Sequence, residues 1–240
     1  MILHGARVGL AGAAVLVVTS GCGVAGTGVQ PGAAATVGDA TVSSSTVDEY
    51  AAYFCDALDD GALGEVGAVP GAELKQGVAG NLTRRLAAEQ FAEDLGITPD
   101  DYYQQVAAQA EASLTALPDD ATDALVEVQS TQAYVDSVAL VAGEEALVAE
   151  GDPDPGPDAA QERGQALFAE WLADQDVEID PALGVELDDT GAPAKVDGTT
   201  SVAASDLAVA AATSPVDEAG QPVPGYSDYV ASLPASQRCG

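Results

Sequence analysis

Apolar positions recur at helical spacing along most of the chain. Val47, Tyr50, Ala51, Phe54 and Leu58 predict a helix over about 46–59, with Ser45/Asp48 and Thr46/Glu49 both placed as capping boxes. Gly61, Gly64 and Gly67 then form a loop. Leu74, Val78, Leu82 and Leu86 predict a long helix from Pro70-Gly71 to Leu95, with Phe91 and Leu95 continuing the buried face and Gly96 as its stop. Thr98-Pro99-Asp100-Asp101 reads as a helix start, Thr98 capping, with Tyr102, Val106, Ala110, Leu114 and Leu117 facing inward until Pro118. One further long helix is expected over about 119–149, on Leu125, Val128, Val135, Ala139 and Ala142. GDPDPGPD at 151–158 interrupts the pattern, and Leu167, Phe168, Trp171 and Leu172 mark a last helix over about 158–174.

Two stretches alternate with period two instead. TVGDATVS at 36–43 turns about Gly38-Asp39 and reads as a short strand or tight hairpin, and VEIDPALGVEL at 177–187 reads as strand. Beyond 188 the chain is rich in Ala, Asp and Pro, with a short helical pattern at 203–212, and 188–225 is expected to be poorly ordered.

The first residues follow another logic. Residues 1–21 hold no acid and one arginine, Arg7, and Val8–Val18 is apolar or small. This pattern reads as an export leader. The run falls well short of the roughly 20 apolar residues that a membrane-spanning helix needs. Thr19-Ser20-Gly21-Cys22 resembles a bacterial lipobox. That resemblance implies cleavage before Cys22, acylation of Cys22 by chains such as palmitate, and an extracytoplasmic domain held to the cell membrane by lipid. Residues 23–35 carry no charge and no periodicity, so 22–35 is expected to be a flexible tether. The expected organisation is leader 1–21, tether 22–35, helical domain 36–187 and extension 188–240.

Charge narrows the functions. Seven basic residues stand against 39 acidic ones, for a formal net charge of −32. Nucleic acid is a poor partner for such a chain, and anionic head groups repel it, so the membrane link falls to the acyl anchor. The single histidine, His4, lies in the leader. A cleaved chain thus has no Ser-His or Cys-His nucleophile pair and no His-ligated zinc. Cys55 and Cys239 remain in an exported chain and predict a disulfide from the first helix to the C-terminus, the alternative being two unpaired thiols.

The acidic motifs point to no site. Asp152–Asp158 lacks the ligand spacing of a calcium loop, and Asp59-Asp60, Asp100-Asp101 and Asp119-Asp120 sit where helix ends explain them. No cofactor and no metal are expected.

ATVGDATVSSSTVDEYAAYF and ELKQGVAGNLTRRLAAEQFAEDLGITPDDYYQQVA resemble the N-terminal chaperone domain of the SurA and PrsA foldases, related to the substrate-binding part of trigger factor. Leu82, Leu86, Ala92, Gly96, Ile97 and Thr98 take the places of that family's core and cap pattern, and WLADQDVEIDPALG at 171–184 resembles its returning element. The likeness covers about 36–184. It implies a mainly α fold of about five helices, with a small β element pairing the N-terminal strand with a strand after the last helix. In catalytic members a parvulin domain fills the slot that GDPDPGPD occupies here, so the implied activity is holding of unfolded or partly folded exported chains, not prolyl isomerisation. Tyr50, Tyr53, Phe91, Tyr102 and Tyr103 are the candidates for a peptide-binding face, or else ordinary core residues. An envelope adaptor holding one folded partner and a weak prolyl isomerase are the competing readings.

Overall fold

The alternation about Gly38 builds a β-hairpin, β1 (Ala33–Val37) and β2 (Ala40–Ser43), joined by Gly38 and Asp39 with Gly38 at φ 55°. The computed structural model describes residues 30–64, 67–196, 209, 223 and 225–240. Ala33, Ala34 and Ala35, expected in the tether, are buried in β1. The hairpin begins earlier than the charge-free composition implied because small apolar residues fit a strand packed close against helices. The leader, Cys22 and most of the 203–212 helical pattern lie outside the described residues.

Helix α1 (Ser44–Asp59) follows without a loop, and Ser43 caps it by accepting the Thr46 N–H at 3.0 Å. The cap is therefore not Ser45 or Thr46. A two-residue strand, β3 (Val69–Pro70), leads into α2 (Gly71–Leu95), which ends at Gly96 in the left-handed conformation, φ 69°. Helix α3 (Asp101–Ser113) starts two residues later than Thr98 suggested, because Asp100 supplies the cap by accepting the Tyr102 N–H.

The long helix expected over 119–149 is two helices, α4 (Asp119–Gln129) and α5 (Thr131–Glu150). They meet at Ser130, whose φ of −89° and ψ of 0° break the helical path. Helix α6 (Pro157–Ala173) then returns along α5, with Pro157 in its first turn. The expected strand 177–187 is split by a 3-10 turn at Pro181–Leu183 into β4 (Val177–Ile179) and β5 (Val185–Leu187), and β5 pairs with β6 (Pro193–Lys195). Near the C-terminus, α7 (Tyr226–Ser232) precedes β7 (Arg238–Cys239), which pairs with β3.

The molecule is mainly helical with small antiparallel sheets. The main sheet has the order β2-β1-β4, so the N-terminal strand does pair with the strand that follows α6. Helix α2 is the spine, and its 25 residues serve two cores. Val78, Ala79 and Leu82 pack with Val47, Phe54 and Leu125. One or two turns on, Ala87, Ala88 and Phe91 pack with Val138, Phe168 and Leu172. Sheet residue Val37 belongs to the second core and Ala35 to the first, so β1 stitches the two together. Burial of both cores supplies the stability, at about 25 cal/mol per Å² of apolar surface.

Candidate functional site

The five aromatic candidates do not share one face. Tyr50 is half-buried, and its hydroxyl donates to Glu127 of α4 at 2.7 Å. Burial and the Glu127 carboxylate both push its phenol well above the usual range. Tyr53 donates to Glu49 on its own helix, one turn back. Phe91 is buried against Phe168 and Trp171, with ring centroids 5.4 and 5.7 Å away. Tyr103 meets Tyr134 edge-on at 5.1 Å. Tyr102 alone is largely exposed, at 54%. Tyr50 and Tyr53 therefore pack with the first core, while Phe91 and Tyr103 pack with the second. Inward stripes on separate helices converge on interiors, which is why they do not assemble into a surface.

Two adjacent arginines on α2 were not singled out by periodicity. The Arg85 guanidinium lies 3.6 Å from the centroid of Tyr134 and 5.0 Å from that of Tyr103. It also pairs with Glu89 at 2.6 Å. Burial alone would lower its pKa, but the hydrogen bonds to Glu89 and Tyr103 outweigh it and the net direction is upward. Arg84 hydrogen-bonds Gln132 of α5, and burial lowers its pKa against the nearby charges of Asp136 and Asp188. These cations fasten α2 to α3 and α5. The signal was visible in the sequence: two consecutive arginines in a chain with so few basic residues.

The open surface lies elsewhere. A half-open groove of about 990 Å³ runs along the end of α6 and past β4 and β5. Leu172, Val177, Ile179, Val185 and Leu187 supply its apolar part, and Glu170, Glu178, Glu186, Asp188 and Asp189 its acidic part. Asp180-Pro181 turns the chain between the two strands, with the Asp180 carboxylate accepting the Ala182 N–H at 2.9 Å. The Asp188 carboxylate is held below its ordinary range, chiefly by the Thr190 hydroxyl and then by the Ala192 and Thr190 amides. A second cleft, of about 410 Å³, lies on the other side of Glu170, which borders both. Its floor is Phe91, Leu167 and Trp171, and its acids are Glu145, Glu170 and Asp174. Of the five sequence candidates, Phe91 borders this second cleft.

Both openings join apolar floor to carboxylate, and no group of three or more potential metal ligands is clustered among the described residues. Such a surface can bury apolar side chains and attract cations. The sequence signal for it was the alternation in VEIDPALGVEL, where Val and Leu interleave with Glu and Asp.

Cys55 and Cys239, the pair expected to bridge, stand at disulfide distance, with Cα atoms 4.9 Å apart. The bond ties α1 to the C-terminal strand, and β7 pairs with β3 at the start of α2. Among the described residues, no helix is long and apolar enough to cross a membrane. No family model matches the chain, no curated protein matches it and no solved structure matches it, so the SurA-like resemblance stands on the quoted motifs alone.

Proposed function

We propose that the chain is an acyl-anchored extracytoplasmic lipoprotein whose helical domain holds unfolded or partly folded exported polypeptides without transforming them. The observation that carries this reading is the groove along α6, β4 and β5, an apolar trough edged by five carboxylates on a chain of net charge −32. Binding there comes from apolar burial, at about 25 cal/mol per Å² before the cost of ordering the client. The carboxylates select clients with basic residues and make the interaction salt-sensitive. The single histidine sits in the leader segment, which leaves the domain without an imidazole to move protons. The proposed anchor is Cys22.

The test is suppression of light scattering when an unfolded basic protein is diluted from denaturant. The full chain lowers scattering near stoichiometric ratios, and Glu170→Lys with Glu186→Lys weakens the effect. Undiminished scattering at a large molar excess contradicts the reading, as does clear turnover in a prolyl-peptide isomerisation assay. Cys22→Ser, followed by membrane fractionation and palmitate labelling, tests the anchor: the variant loses label and leaves the membrane fraction.

A further inference from the structure

The main sheet ends at β4, and its register says which backbone groups that edge offers. The Gly38 N–H donates to the Asp176 carbonyl at 3.0 Å, and the Asp180 N–H donates to the Ala34 carbonyl at 2.8 Å. Pairing of Thr36 with Glu178 places the third member of the same series. In an antiparallel ladder alternate residues turn their N–H and C=O to the same neighbour. Asp176, Glu178 and Asp180 therefore face β1, and Val177 and Ile179 turn their backbone groups to the opposite side, where the sheet has no further strand among the described residues.

The large groove lies on that side. It touches Val177, Glu178 and Ile179 in succession. Successive side chains of a strand point to opposite faces, so a hollow that meets all three meets the strand's edge and not one of its faces. Across the groove, Val185 through Asp189 also line it in succession. Strand β5 bonds β6 through its even positions, as the Asp188 N–H to Ala192 carbonyl bond of 2.9 Å shows, which leaves Val185 and Leu187 turned away from β6.

Open edges are hazards, and proteins usually blunt them with lysine, proline or a covering loop. Strand β4 instead carries Glu178 and is flanked by Asp176 and Asp180. On a chain of net charge −32, this edge repels a second copy of itself and attracts a cationic strand.

We propose that β4 takes up an extended, cationic client segment by strand addition, with the outward groups of Val177 and Ile179 bonding its backbone, its apolar side chains in the groove and its basic ones against the carboxylates. This rests on the groove being the client site, and names the conformation and chemistry of what enters it.

The experiment is fluorescence anisotropy of a labelled nine-residue peptide of alternating valine and lysine, titrated with the full chain. Binding is expected, weakening with added salt. The same peptide N-methylated on alternate amides keeps its charge and apolar side chains but loses the donors that a strand needs; it is expected to bind about tenfold more weakly or worse. A glutamate-for-lysine peptide is expected not to bind. On the protein side, exchange of the Val177 and Ile179 amides slows in the complex. Equal affinity for parent and one-face-methylated peptides, in both methylation registers, overturns strand addition, as does unchanged exchange at both amides. If no peptide binds while aggregation is still suppressed, this proposal fails and the holding function survives. If aggregation is not suppressed either, both fail.

Discussion

Individual side chains carry consequences that the helical pattern does not reveal. Ser130 is fully buried, and its hydroxyl has no hydrogen-bond partner. An unpaired buried hydroxyl costs stability, so Ser130→Ala is expected to raise it by up to about 1 kcal/mol in urea denaturation. A loss of similar size would mean that the hydroxyl is bonded after all. Tyr50 and Tyr226 make a second case. Burial and the carboxylates of Glu127 and Glu73 raise both phenols. The folded protein therefore keeps these protons after the unfolded chain has begun to release its own near the ordinary tyrosine pKa of about 10. Their contribution is intact below that pH and is lost as pH rises further. Denaturation midpoints compared at neutral pH and above pH 10 should fall, and Tyr50→Phe should make the fall shallower. The sequence showed Tyr50 as an apolar position. It could not show its bond to Glu127, because 77 residues separate the two and only the tertiary fold brings them together.

Helices were legible wherever spacing and stop residues agreed. Helix α2 ends at Gly96, as its stop residue required, and α6 begins at Pro157, inside the stretch expected to interrupt the pattern and one residue before the expected start. The break between α4 and α5 was not legible. Residues 119–149 contain one glycine, Gly143, and after Pro118 no proline, and the apolar spacing runs on through Ser130. The kink answers to packing: it carries α4 onto α1 and α5 onto α2 and α6. Nor was it legible that α3, despite its stripe, buries none of its own residues. A stripe states which face would be buried, not whether a partner covers it. Gly143 and Gly164 mark a close crossing of α5 and α6. A Cβ on Gly143 would lie inside the contact distance of the Ala160 carbonyl, and one on Gly164 inside that of Ala139. Backbone cannot yield as a side-chain tip does, so Gly164→Ala is expected to cost about 3 kcal/mol or more, read as a lower denaturant midpoint. A change within about 0.5 kcal/mol would mean that the helices are not so close.

For the molecule as a whole, the disulfide decides how the C-terminal strand is held. Cys55 and Cys239 are 184 residues apart, and a loop of that size is worth roughly 5 kcal/mol in the chain-entropy model. Reduction should lower the unfolding midpoint accordingly, and Cys55→Ala with Cys239→Ala should match the reduced protein. An unshifted midpoint, or two alkylatable thiols in the untreated protein, would mean that the bridge does not form. Alternation marked both β1 and β4 as strands, but their pairing was expected only from the SurA-like resemblance. The apolar and acidic alternation of VEIDPALGVEL was legible, but not that it borders a groove, because the opening arises from the 3-10 turn at Pro181–Leu183 between β4 and β5 and from the end of α6 lying beside them. The aromatic candidates lie mostly inward, whereas the opening is lined by aliphatics and carboxylates.

The proposed holding function requires that the groove meet many partners. A photoreactive amino acid placed at Glu186, an exposed position on the groove, would be activated in intact cells and the captured chains identified. The account predicts many unrelated exported proteins, captured through basic, apolar-rich segments and depleted when export is stopped. Capture of a single folded partner, unchanged by stopping export, would contradict it.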